Sequence, residues 1–239
     1  MHINEDCYIA FIDILGFKKL IMSNTTSDIL KLFNKIVATR KNIYKHNSNI
    51  DTEWNTMLSL TAIRIMSDSI VIAIPSRFPN SLAFVADCCR WIQSSLLSKN
   101  ILVRGGISKG MFYINNEIMF GDGLVKAYSL EGYAQYPRII ISPDIVHNYD
   151  KIYGTSTEIY LTDFIIFDND YYYINYLMCI TNYKPIRNFI LTEIEKESNN
   201  PEIKAKYLWL KDYFNKTINN PVYEADINLY INNDITIGR

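Results

Sequence analysis

Two carboxylates set in apolar surroundings have the most chemistry to offer. Asp13 follows the run Tyr8–Ile12 in CYIAFIDILGFKKL, and Asp68 interrupts TAIRIMSDSIVIAI. An ionised carboxylate among aliphatic side chains is costly unless a cation or hydrogen bonds compensate it. A divalent ion held by hard oxygen ligands is the simplest compensation. Gly16 lies just beyond Asp13, and a glycine turn lets backbone amides approach phosphate. Two acids and a glycine turn together point to metal-assisted chemistry on a phosphorylated substrate. Taken singly, each acid also has a plain structural use: Asp13 as a strand-end residue, Asp68 as a turn former after Ser67.

The elements that must position these residues are legible in the pattern. Tyr8–Ile12 is rich in β-formers and predicts a buried central strand. Thr61–Ile74 is strand-like on both sides of Ser67-Asp68, which predicts a β-hairpin closed by Pro75 with Asp68 at or beside its turn. Residues 27–46 carry Ile29, Leu32, Phe33, Ile36, Val37 and Ile43 at helical spacing, with Ser27 or Asp28 as N-cap. Residues 47–55 read as a polar connector. A second helix over 80–99 has its stripe at Leu82, Val85, Ala86, Cys89, Ile92 and Leu96. A glycine-punctuated strand over 101–107, a return strand over 110–120, a helix over 121–131 and a strand over 138–142 follow.

This order predicts an α+β domain with a ferredoxin-like βαββαβ palm core. Beyond it, 159–167 and 171–177 are strand-like around Asp168-Asn169-Asp170. Residues 202–218 are helical, with Ala205, Leu208, Trp209 and Tyr213 on one face. The expected division is a core over 1–145 and a C-terminal β/α extension over 146–239, packed on it as one domain.

Composition narrows the function. The chain has 239 residues, of which 49% are apolar, and a net charge of −1. That balance gives no global basic field for nucleic acid. Cys7, Cys88, Cys89 and Cys179 show no paired metal spacing and fit free thiols in a reducing compartment. The N-terminal lead has no basic region, and no apolar run approaches the ~20 residues that span a bilayer. A cytoplasmic protein without membrane or nucleic-acid partners is expected. His2, His46 and His147 are scattered, and neither a Ser-His-Asp set nor a Walker A loop is present.

The strand–Asp–Ile–x–Gly–Phe segment followed by hairpin–Asp resembles the class III nucleotidyl cyclase catalytic domain. The wording AFIDILGF, MSDSIVIAI, VRGGISKG and YPRIIIS looks most like the pyrimidine cyclases of bacterial Pycsar antiphage systems, over Tyr8–Ser142. The resemblance implies cyclisation of a nucleoside triphosphate, UTP before CTP, to a 3′,5′-cyclic monophosphate and pyrophosphate. It implies two Mn²⁺ or Mg²⁺ ions held by Asp13, Asp68 and the backbone carbonyl of Ile14. Such ions lower the pKa of the ribose 3′-hydroxyl and neutralise the triphosphate. It further implies that amides of Leu15, Gly16 and Phe17 contact the β- and γ-phosphates. Arg64, four residues before Asp68, falls where the nucleobase edge is expected. A homodimer with sites at the subunit interface, and a downstream effector that senses the cyclic nucleotide, are the implied partners.

One motif departs from the family. Phe120-Gly121 aligns with its Trp-Gly pair and Ala127 with the alanine of its Asn-x-Ala-x-Arg motif. Ile118 then replaces the adenine-reading Asp, Val125 the Asn and Ser129 the transition-state Arg. Lys126, Arg138 and Lys109 are the candidate replacements for that cation, and Arg104 in VRGGISKG reads as structural. An ATP or GTP cyclase with altered base contacts, and an inactive nucleotide-binding regulatory homologue, stay open as alternatives.

Overall fold

A computed structural model describes residues 2–46, 52–147, 161, 164–168 and 170–219. One mixed sheet organises the chain. Its central strand β1 (Ile3–Ile14) pairs antiparallel with β3 (Ser69–Pro75) on one side and β4 (Val103–Ile114) on the other. β2 (Ala62–Met66) closes the hairpin onto β3, and the short β5 (Met119–Phe120) folds back on the end of β4.

Both faces of β1 are covered, which is why its sequence reads as a nearly continuous apolar run. Tyr8, Ala10, Ile12 and Ile14 join the core under α2 (Thr26–His46), α3 (Thr52–Leu60) and α4 (Ser81–Leu97). Cys7 and Ile9 share the opposite layer with Ala127 of α5 (Asp122–Ala134). The strand order β2-β3-β1-β4 is that of a ferredoxin-like palm, so the α+β expectation holds. A seven-residue helix α1 (Phe17–Ser23) leads out of β1.

Three local expectations are corrected. The cap of α2 is Thr25, whose Oγ1 accepts from the Asp28 amide at 3.2 Å and donates to the Asp28 carboxylate at 2.6 Å. Part of the predicted connector is helical, since α3 begins at Thr52; 47–51 lie outside the described residues. The glycines after residue 104 do not divide the segment into two strands, because β4 runs unbroken for 12 residues. They serve packing instead. A Cβ on Gly106 would overlap Leu130 Cβ and lie 2.6 Å from the Ala127 carbonyl oxygen, so α5 rests directly on the strand. Gly106→Ala must push α5 away, at a cost of about 1–3 kcal/mol. For a chain of this size, thermal melting should fall by about 2–10 °C.

The sheet continues beyond the palm. α5 carries the chain to β6 (Ile139–Ile141), parallel to β4. After a short helix over 143–147 (α6), β7 (Ile165–Asp168) and β8 (Tyr171–Ile174) form a hairpin, and β8 pairs with β6. A 3-10 turn at Tyr176–Cys179 leads to α7 (Tyr183–Lys196), which the sequence pattern did not announce, and α8 (Pro201–Ile218) packs against it. The buried face of α8 is Leu210, Tyr213, Phe214 and Thr217, while Ala205 and Leu208 are exposed. The contiguous run Tyr207–Leu210 offers no periodicity from which to choose a side. Among the described residues, no helix is long and apolar enough to cross a membrane. Cys7, Cys88 and Cys89 are buried free thiols, and Cys179 is half-buried.

Candidate active site

The two acids meet at one end of the sheet. Asp13 is the next-to-last residue of β1, opposite Ser69 on β3 and Arg104 on β4. Asp68 lies in the two-residue turn joining β2 to β3, where Ser67 adopts φ 57°. The turn is clamped to β1, because the Ile14 amide donates to the Asp68 carbonyl at 2.8 Å. The clamp fixes Asp68 beside Asp13 although 54 residues separate them in sequence (68 − 13 − 1).

Charge at this end is poorly compensated. Burial is the largest influence on Asp13 and pushes its pKa above the ordinary carboxylate value. Arg104 opposes that shift, and the neighbouring Asp68 charge adds to it. Arg104 Nε donates to Asp13 Oδ2 at 3.4 Å and lies 2.5 Å from Glu131 Oε1. Glu131 comes from α5 and is only 7% exposed. Its carboxyl is also raised, first by burial and then by Asp13 and Asp68, with Arg104 pulling the other way. One guanidinium thus serves two carboxylates, with a third close by.

Neither Glu131 nor the central position of Arg104 emerges from sequence reasoning. A signal for each is present. Glu131 stands four residues after Ala127, on the face of α5 that meets the sheet, and Arg104 is the cross-strand partner of Asp13.

Asp13 and Asp68 fit a hard divalent ion in chemistry and charge: both offer oxygen donors, and a cation would relieve the repulsion between them. They do not make a closed cage. Among the described residues, no three His, Cys, Asp or Glu side chains come together to hold a metal. Further ligands must come from the Ile14 carbonyl, substrate oxygens and water.

The other expected site residues divide. The Leu15 amide donates to the Leu102 carbonyl at 2.9 Å and is spent there. Gly16 adopts φ 72°, and a Cβ on it would meet nothing within 4 Å. The glycine is therefore required by its left-handed backbone, and the space above it is open. Phe17 begins α1 and stacks on Phe33 at 6.3 Å. Arg64 on β2 pairs with Val71, which pairs with Phe11. The alternation of the sheet puts Arg64 on the Asp13 face, one row back.

Lys109 and Lys126 lie apart from the acids within the chain. Lys109 pairs with Tyr8 on β1, five residues or about 17 Å from Asp13. Lys126 is bound to Asp122 at 2.7 Å. Both line a cavity of about 380 Å³ with Asp6, Asp122 and Asp144. Arg138 is buried and committed elsewhere. It donates to the Ala134 carbonyl and to Asp168, among the rings of Tyr136, Tyr171, Tyr173 and Trp209.

Ile118, Phe120, Val125 and Tyr128 are more than half exposed (53%, 58%, 63% and 59%). Tyr128 of α5 packs edge-on against Phe11, and Phe120 of β5 stacks on Tyr113.

No protein-family model and no curated protein sequence matches the chain. Solved cyclase structures do match. One is the adenylyl cyclase CyaB from P. aeruginosa, at 13% identity over 73% of this chain and 95% of that one, with a TM-score of 0.46. Another is the catalytic core of a rhodopsin-guanylyl cyclase with converted specificity in complex with ATPαS, at 15% identity over 73% and 98%, TM-score 0.48. A third is the dimeric guanylyl cyclase domain of the RhoGC fusion protein from the aquatic fungus Blastocladiella emersonii, at 15% identity over 72% and 95%, TM-score 0.48.

Proposed function

We propose that the chain is a nucleotidyl cyclase that converts a nucleoside triphosphate to a 3′,5′-cyclic monophosphate and pyrophosphate. The observation that carries this reading is the meeting of Asp13 and Asp68 at one sheet end, under-supplied with positive charge. In this reading the two carboxylates and the Ile14 carbonyl hold Mn²⁺ or Mg²⁺. Bound there, the ions supply acidification of the ribose 3′-hydroxyl and neutralisation of the leaving pyrophosphate. Arg104 turns from the acids toward the triphosphate once they are otherwise satisfied, because its guanidinium matches phosphate geometry. The backbone at Gly16 and Phe17 lies along the path of the β- and γ-phosphates.

A pyrimidine substrate is the favoured form, UTP before CTP. A guanidinium donates only. Arg64 on the Asp13 face therefore suits O2 and O4 of uracil, or O2 and N3 of cytosine. The exposed patch of Ile118, Phe120, Val125 and Tyr128 supports a homodimer whose sites lie at the interface. In a dimer, Lys109 or Lys126 of the partner copy is the remaining candidate for the cation that Ser129 does not provide. The cyclic product would serve as a second messenger, read by an effector in antiphage defence. Val125 and Ser129 favour a second reading, a regulatory homologue that binds nucleotide without turnover.

One experiment separates these readings. The purified protein is incubated with each of ATP, GTP, CTP and UTP and Mn²⁺, and products are resolved by chromatography and mass. A 3′,5′-cyclic product from UTP or CTP is expected. A purine product transfers the assignment to ATP or GTP, binding without product gives the regulatory homologue, and neither binding nor product overturns the proposal.

A further inference from the structure

A cavity of about 350 Å³ lies away from the two acids, between α2, α4 and the start of α7. Its volume falls within the range of small-molecule pockets. The lining is mostly apolar, with Trp91 from α4, Ile180 from just after the 3-10 turn and Ile186 from α7. Ile180 and Ile186 are buried and Trp91 is half-buried. Ser95 and Thr181 add hydroxyls. The walls are tied together: Ser94 of α4 donates to the Tyr176 carbonyl of the turn, and Tyr183 at the start of α7 donates to the Leu177 carbonyl at 3.3 Å.

Charge around this cavity has one sign. Among the described residues that line it, Lys35 of α2 is the charged one. Cys179 also lines it, and burial pushes that thiol up to about 11, so it stays neutral at pH 7. The Asp87 charge that acts on the thiol is paired with Arg90 at 2.9 Å. The cavity borders the first turn of α7, which holds no acidic residue, so the positive end of that helix adds to the lysine. An indole, two isoleucines, hydroxyls and a positive pole together suit a flat apolar body that carries one negative group.

We propose that this cavity is a binding site for an aromatic carboxylate, its ring system against Trp91, Ile180 and Ile186 and its carboxylate toward Lys35. The lysine ammonium is a flexible donor that suits a carboxylate. The site goes beyond the cyclase reading and stands or falls independently of it. It also gives the C-terminal extension a part in recognition, since the 3-10 turn and α7 supply half of the walls.

The test uses the full chain, with 1-naphthoate as the probe and uncharged 1-naphthamide as its control, measured by calorimetry. 1-Naphthoate should bind with a Kd on the order of 0.1–1 mM, the scale for a ligand of its size. 1-Naphthamide should bind about tenfold more weakly. Lys35→Gln, a change at an exposed position, should remove most of that preference, the scale of one lost charged hydrogen bond. Cys179 reports where the probe sits. Cys7, Cys88 and Cys89 are buried, so iodoacetamide reaches Cys179 first, as read by peptide mass. 1-Naphthoate at about ten times its Kd should slow that alkylation about tenfold, in proportion to occupancy. No saturable binding, or binding that leaves Cys179 alkylated at its free rate, overturns the site. Equal affinity for the two probes, or an unchanged preference in Lys35→Gln, overturns the carboxylate assignment.

Discussion

Asp13→Asn abolishes turnover and at the same time raises the melting temperature of the metal-free protein at neutral pH. The first effect follows, in the proposed cyclase reading, from losing one of the two carboxylates that would hold the divalent ions. Charge stabilisation of that kind is worth several kcal/mol, so activity should drop by about a thousandfold or more. The second follows from the sign of the acidity shift. Burial, and then the Asp68 charge, hold the Asp13 carboxyl above its ordinary value of 3.8 in the folded protein. The fold therefore prefers Asp13 protonated, and its ionised form is a liability above the folded-state value. That liability fades as pH falls toward 3.8. Asparagine mimics the protonated form at every pH. The gain in melting temperature should be present at pH 7 in EDTA and shrink to nothing near pH 4. Arg104 keeps Glu131 as a partner in the variant, so no buried cation is stranded. Added Mn²⁺ should reverse the order, since a ligand stabilises only the fold that binds it. A variant that turns over normally, or that melts below wild type in EDTA at pH 7, would contradict this account.

Arg138→Met unseats the C-terminal elements. The Arg138 side chain is 9% exposed and ion-paired with Asp168 at 3.3 Å. Its guanidinium carbon lies 5.6 Å from the Tyr136 ring and 5.7 Å from those of Tyr171, Tyr173 and Trp209. These rings belong to the segment before β6, to β8 and to α8, so one planar cation touches three parts of the fold. Desolvated cation–π contacts and a half-exposed ion pair together are worth about 2–4 kcal/mol. Melting should fall by about 4–15 °C. Lysine should rescue little, because it lacks the flat, weakly hydrated face that stacks on rings. Circular dichroism melts of the two variants decide the matter, and wild-type melting in either would refute this account of the cage.

The palm was legible because its signals are local and agree with one another. The run around Asp13, the two-residue turn at Asp68 and the stripe of α4 each state their element without tertiary help. The glycines of β4 misled because Gly106 and Gly110 exist for α5, a contact made between distant segments. Helix α7 and the face of α8 were missed for a related reason. The run Tyr207–Leu210 is apolar on all sides, and only docking against Tyr136 and Tyr173 selects which side is inside. At the site, Asp13 and Asp68 could be found from residue type and context. Glu131 could not, since α5 shows it as one more polar residue until the helix is laid on β4.

The pairing of β8 with β6 bears on how the protein can be handled. Ile139, Ile140 and Ile141 are all fully buried, and β8 caps their outer edge. A fragment cut after residue 145 would bare three isoleucines and a row of unpaired amides, an open template for intermolecular strand addition. Such a shortened core should therefore precipitate or form β-rich aggregates, even though it keeps Asp13, Asp68, Arg104 and Glu131.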